Sequence, residues 1–216
     1  YNAGYMAADK TTFAGYEAGR YTSGADNVGV GFWALYKSST GKESTAVGAY
    51  AGAYATSDHN VAVGYKALYG VADQSVCCDS GSNNVAVGFE ALKVNSEGYL
   101  NVAIGSQSMT SNTTGAGNAA LGYQSLLDNT TGTDNTAIGN NALLNNTTGL
   151  CNTATGYQAL QANTTSAYNT AVGNCALASN TSGGANVAVG FKALAAQTTG
   201  SMNVGIGYFS LCSATT

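Results

Sequence analysis

The chain has 216 residues, a net charge of −4 and only 8% charged residues, about a third of the roughly 25% usual in soluble domains. Abundant glycine without a single proline is not the charge- and proline-rich composition of a disordered chain. No basic cluster is present to grip a nucleic-acid backbone, and no apolar run approaches the roughly 20 residues of a membrane-spanning helix.

Residues 1–69 hold irregular copies of one phrase. Asn2-Ala3-Gly4-Tyr5 and Thr12-Phe13-Ala14-Gly15 are the most degenerate. Asn27-Val28-Gly29-Val30-Gly31 and Ser44-Thr45-Ala46-Val47-Gly48 are closer, and Asn60-Val61-Ala62-Val63-Gly64-Tyr65-Lys66-Ala67-Leu68 is complete. Extra residues then enter, and residues 70–83, which include Cys77 and Cys78, read as a loop bulging from one coil with Gly64 and Gly88 still on adjacent coils. From 84 to 216 the phrase recurs without slippage at a constant period of 17. Its glycines are Gly88, Gly105, Gly122, Gly139, Gly156, Gly173, Gly190 and Gly207.

A fixed short period decides the fold before any local signal does. Val/Thr-Ala-Val alternates with period two and is β-branched, which is a strand pattern. The glycine after it permits a bend. The stretch from the residue after the glycine to Leu reads as a second short strand. Asn112-Thr113-Thr114-Gly115 and its copies then supply a turn. One strand–bend–strand–turn circuit per repeat makes an all-β fold, a β-solenoid or β-roll of about 12 coils. At about 4.8 Å per coil its length is roughly 55–60 Å. Identical residues stack in such a rod. Asn101, Asn118, Asn135, Asn152, Asn169, Asn186 and Asn203 should form an amide ladder, and Leu126, Leu143, Leu160, Leu177, Leu194 and Leu211 an apolar column.

The phrase Asn-x-Ala-(Val/Ile)-Gly-x-x-(Ala/Ser) resembles the head repeats of trimeric autotransporter adhesins, which are left-handed β-rolls packed three side by side. With Leu and the Asn-Thr-Thr-Gly turn it is more similar to repeats of phage tail fibre and tail spike proteins. The resemblance spans nearly the whole chain. It implies a non-enzymatic structural protein, the shaft of a viral tail fibre presenting a receptor-binding tip, with the chain itself as partner in a homotrimer and a location in the virion or at a cell surface. The 17-residue period and the cysteines depart from the adhesin pattern and favour the fibre. A bacterial surface adhesin or an extracellular filament subunit, joined end to end through uncapped coils, is the alternative of the same class. The chain begins at Tyr1 and shows no polar cap at either end, which points to a processed protein or a segment of a longer one.

The residues offer little for catalysis or cofactors. His59 is the single histidine, in a turn, and the acids do not recur at the repeat period as calcium ligands would. Gly29-Val30-Gly31 and Gly205-Ile206-Gly207 lack the rest of a dinucleotide loop, so no cofactor or metal is expected. The five cysteines occupy no common column, which favours free thiols. Tyr65, Tyr123, Tyr157 and Tyr208 share a column and are candidate contacts for a host surface glycan. Asn112, Asn129, Asn146, Asn163 and Asn180 each begin a glycosylation sequon. Thr114, Thr131, Thr148, Thr165 and Thr199 form a row, the feature that an ice-binding solenoid, the alternative of another class, would use.

Overall fold

A computed structural model describes residues 10–70 and 81–215. It contains twelve three-residue strands: β1 (Thr12–Ala14), β2 (Val28–Val30), β3 (Thr45–Val47), β4 (Val61–Val63), β5 (Val85–Val87), β6 (Val102–Ile104), β7 (Ala119–Leu121), β8 (Thr136–Ile138), β9 (Thr153–Thr155), β10 (Thr170–Val172), β11 (Val187–Val189) and β12 (Val204–Ile206). They form one parallel sheet in chain order, one strand per coil. The fold is therefore the β-solenoid that the period dictates. Val61 pairs with Val85 and Val63 with Val87, so β4 and β5 are neighbours and the long spacing between Gly64 and Gly88 adds no coil. Residues 71–80 of the expected loop, with Cys77 and Cys78, lie outside the described residues, as does the copy at 2–5.

Each strand turns its middle residue inward and its two flanking residues outward. Ala103, Ala137 and Ala171 are buried between flanking side chains that reach solvent. Small alanines on the inner face keep the two walls of the coil close. The bulk comes from the opposite wall, where Leu126, Leu143, Leu160, Leu177 and Leu194 form the buried apolar column expected from the repeat.

That opposite wall is not a second strand, which corrects the sequence expectation. Ala142 and Leu143 are consecutive and both fully buried, and a pleated strand cannot send consecutive side chains to the same side. The backbone instead takes left-handed conformations at alternate residues, Asn141 at φ 58° and Leu143 at φ 50°, and the same occurs in the other regular coils. Turn bonds from Ala142 N–H to Gly139 O (3.3 Å) and from Asn146 N–H to Leu143 O (3.1 Å) hold the shape. Other amides join the coils as a strand would: Asn141 N–H donates to Tyr123 O and Leu143 N–H to Ala159 O, both 3.0 Å. A left-handed leucine is costly by itself; here inter-coil hydrogen bonding and burial hold it.

The glycine line is required at close quarters. Gly139 sits at φ +132°, and a Cβ there would lie 2.6 Å from the carbonyl oxygen of Gly156 in the next coil. From Gly88 to Gly190 each glycine meets the next in this way, so the line predicted by the period exists. The N-terminal coils show volume compensation. Phe13 replaces the inward alanine of β1, and Cβ atoms at Gly19 or Gly29 would stand 2.5 and 2.7 Å from its ring. Gly19 occupies the leucine position of its own coil, so the phenyl ring fills the space that leucine leaves.

Candidate functional site

Four features carry the chemistry of this rod, each fixed by its place in the coil. The first is the expected asparagine ladder, at the residue before each strand. Asn135 N–H and Nδ2 donate to Asn118 Oδ1 at 3.0 and 3.1 Å, and Nδ2 also donates to Gly149 O of the next coil at 2.8 Å. Asn135 Oδ1 in turn accepts from the N–H and Nδ2 of Asn152. Asn101, Asn118, Asn152, Asn169 and Asn186 continue the ladder, and the backbone N–H of Asn203 closes it on Asn186 Oδ1 at 2.9 Å. Every amide from Asn118 to Asn169 is buried with both donors and its acceptor engaged, which is the condition for a polar group to be tolerated inside. In β3's coil Ser44 replaces asparagine; its hydroxyl still accepts from Asn60 N–H at 3.1 Å.

A second ladder was missed in the sequence. Asn95, Asn112, Asn129, Asn146, Asn163 and Asn180 open the turns, and all are fully buried. Asn146 Nδ2 donates to Asn129 Oδ1 at 2.9 Å and to Gly149 O at 3.1 Å. The sequons are thus no glycan acceptors in the folded rod, because each Nδ2 from Asn112 to Asn180 is buried and bonded. The signal available was the recurrence of Asn itself at a position where a turn alone would accept Ser, Asp or Gly. Beside it, the N–H groups of Thr113, Thr114 and Gly115 converge on Thr130 O at 2.9–3.2 Å, with the Thr113 hydroxyl added at 3.0 Å. The neighbouring Thr114, Thr131, Thr148, Thr165 and Thr199 are exposed along the turn.

The outward strand face is the third feature. Val102, Ile104, Leu121, Ile138, Val172 and Val189 each remain 36–46% exposed. Every outward position of β2 to β12 is Val, Ile, Leu, Ala or Thr, and none is charged. The face is continuous, in one register along the rod.

The aromatic column lies just past the glycine bend. Tyr65, Tyr123, Tyr157 and Tyr208 are all well exposed there, as are Tyr16, Phe32 and Phe89. Where two rings fall on adjacent coils they stack on one another: Tyr65 with Phe89 at 5.6 Å and 13°, Phe191 with Tyr208 at 5.4 Å and 17°. At the N-terminal end Tyr16, Phe32, Trp33 and Tyr36 form a parallel stack, with the last pair 4.2 Å apart. Lys66 Nζ stands 5.3–5.9 Å from the centroids of Tyr50, Tyr65 and Tyr69. Tyr69 packs edge-on to Tyr54, and its hydroxyl is pushed up to about 12, first by burial and then by Tyr54.

The remaining ionisable groups that meet do so in isolated pairs: Arg20 with Glu17, and Lys93 Nζ with Glu90 Oε1 at 2.8 Å. His59 Nε2 meets Glu43 Oε2 at 3.1 Å, with both side chains more than half exposed. Cys151, Cys175 and Cys212 are free thiols. Among the described residues no group of three or more His, Cys, Asp or Glu could hold a metal ion, and no helix is long and apolar enough to cross a membrane. No known protein family, curated protein or solved structure matches this chain.

Proposed function

We propose that this chain is a non-enzymatic structural rod, the shaft of a virion tail fibre in which three copies pack side by side through their strand faces and hold a receptor-binding tip away from the particle. The observation that carries this reading is the uncharged apolar face. At about 4.8 Å per strand and one short strand in width it covers on the order of 500 Å² in projection, the upper end of the largest patch on a typical monomer. A thin coil with alanine on its inner wall has no room to hide a second set of aliphatics, which leaves them for a partner copy to cover. A closed three-fold arrangement covers the face without leading to open-ended aggregation. The two buried amide ladders and the continuous parallel sheet supply stiffness along the axis. An adhesin or filament subunit at a cell surface uses the same packing.

Light scattering on the full chain tests this. A particle of three times the 21.6 kDa of one chain is expected. Val172→Asp with Val189→Asp, two outward positions, should reduce it to a monomer with an unchanged far-ultraviolet spectrum. A monodisperse wild-type monomer at micromolar concentration refutes the assembly.

One observation favours a second reading. Thr136, Thr153 and Thr170 stand at the same register on β8, β9 and β10, with Thr155 beside them on the outward face. A regular threonine array on a flat sheet is what an ice-binding solenoid presents, and the sequence suggested threonine only on the turn. In that reading the chain is monomeric, its face stays bare, and the wild-type chain inhibits ice recrystallisation.

A further inference from the structure

We propose that Tyr123, Asn140 and Tyr157 form a slot that binds one ring of a neutral saccharide. The inference deepens the fibre reading and rests on it in one respect: the strand face turns toward the partner copies, which leaves the ring column beyond the glycine bend outside the interface.

Tyr123 and Tyr157 differ from the other rings of the column in having no ring on either adjacent coil. In the same column Tyr16, Phe32, Tyr65, Phe89, Phe191 and Tyr208 each have a parallel ring on the adjacent coil. Each of those rings has one face covered by its stacked partner. Tyr123 and Tyr157 have no ring contact among the described residues, yet they are 47% and 46% exposed. Asn140 lies between them on the intervening coil, and it is exposed.

The spacing selects the ligand. Stacked pairs in this column lie within 11–17° of parallel, so neighbouring rings of the column face one another across the coils, and the proposal gives Tyr123 and Tyr157 the same orientation. Two coils separate Tyr123 from Tyr157, a gap of about 9.6 Å. With carbon contacts of about 3.5–4.0 Å on each side, a flat aromatic ring fills only about 7–8 Å and is held loosely. A pyranose, with C–H bonds projecting from both faces, is thicker and fills the gap. The Asn140 amide at the slot floor can both donate to and accept from ring hydroxyls. The charge is right for a neutral ligand: between Glu97 and the end of the chain the only ionised side chains of the sequence are Asp128, Asp134 and Lys192.

The test is isothermal titration of the full chain with cellohexaose, maltohexaose, mannohexaose and trigalacturonate, with light scattering on each variant. At least one of the three neutral oligomers should bind. Tyr123→Ala or Tyr157→Ala should weaken it at least tenfold. Asn140→Tyr should abolish it by completing the ring stack, a substitution that the column already accommodates where Phe32 follows Tyr16. Tyr65→Ala, whose face is covered by Phe89, should leave it unchanged. Binding that survives Asn140→Tyr, binding of trigalacturonate alone, or no binding of any neutral oligomer overturns the slot. A monomeric wild type that binds in the predicted manner overturns the three-fold shaft and leaves the slot standing.

Discussion

Gln197 breaks the second amide ladder, and Gln197→Asn should stabilise the C-terminal coils. In the regular coils each asparagine Nδ2 reaches the Oδ1 of its counterpart one coil earlier, as Asn163 does to Asn146 at 2.8 Å. Gln197 occupies the next position of that column. Its longer side chain carries the amide out of register: Nε2 donates only to Gly200 O, and Asn180 Oδ1 and Gln197 Oε1 are both buried without a partner. An orphaned buried acceptor costs about 1–3 kcal/mol and a net hydrogen bond contributes about 1. The shorter amide restores the bond to Asn180, while its own oxygen still faces Ala214 in place of an asparagine. The gain should therefore be about 1–2 kcal/mol, the lower part of the cost of the one acceptor that the restored bond relieves. Asn146→Gln is the reverse experiment. It removes the partner of Asn129 Oδ1, leaves Asn163 Nδ2 with one bond fewer, and adds a methylene to a close-packed interior, for a loss of about 2–4 kcal/mol. Stacked repeats open locally, so hydrogen exchange by mass spectrometry is the assay, with urea unfolding alongside. Protection should rise in the coils around 180–200 for Gln197→Asn and fall around 129–163 for Asn146→Gln. A neutral or destabilising Gln197→Asn, together with an Asn146→Gln that costs under about 0.5 kcal/mol, less than one ordinary net hydrogen bond, would show that the ladder contributes no net stability.

Two further perturbations probe the backbone and the aromatic surface. Gly139→Ala forces a Cβ to within 2.6 Å of Gly156 O at a φ of +132°; the combined clash and strain should cost more than about 3 kcal/mol, read as loss of the cooperative unfolding transition of the central coils or failure to fold. Tyr69 should stay protonated in the folded chain to about pH 12, against 10.0 for a free tyrosine, because burial and then Tyr54 oppose its charge. Its contribution is fully present below pH 10, where both states are protonated, and is lost as pH rises from 10 toward 12, where the unfolded chain ionises first. Tyr69→Phe should flatten that part of the stability profile. Near-ultraviolet titration of wild type and Tyr54→Phe should show the most alkaline tyrosine moving down without returning fully to 10.0, since burial is the larger cause.

The period alone determined a great deal. It requires Gly139 to sit over Gly156 and Asn135 over Asn118, because a one-coil repeat stacks equal positions at the strand spacing. Two-residue alternation in Thr136-Ala137-Ile138 was enough to separate the inner and outer faces. Even the long interval before Gly88 was readable as an interruption inside one coil, since a whole coil needs more residues than were added. What the linear pattern could not decide was the path of the wall opposite the sheet. Ala142-Leu143 matched a strand by composition, but both residues point inward, and only the closed circuit, with its inter-coil hydrogen bonds, makes a left-handed leucine tolerable. The same closure sent Asn112 and its copies inside, where the sequence placed turn residues and sequons, because the stacked turns offer each amide a carbonyl in its own turn and an Oδ1 one coil earlier. It also decided which tyrosines keep both faces clear of a stacked ring. Tyr65 and Tyr123 are equivalent in the repeat, and the difference between them lies in the neighbour that the next coil brings alongside, Phe89 for one and Asn140 for the other.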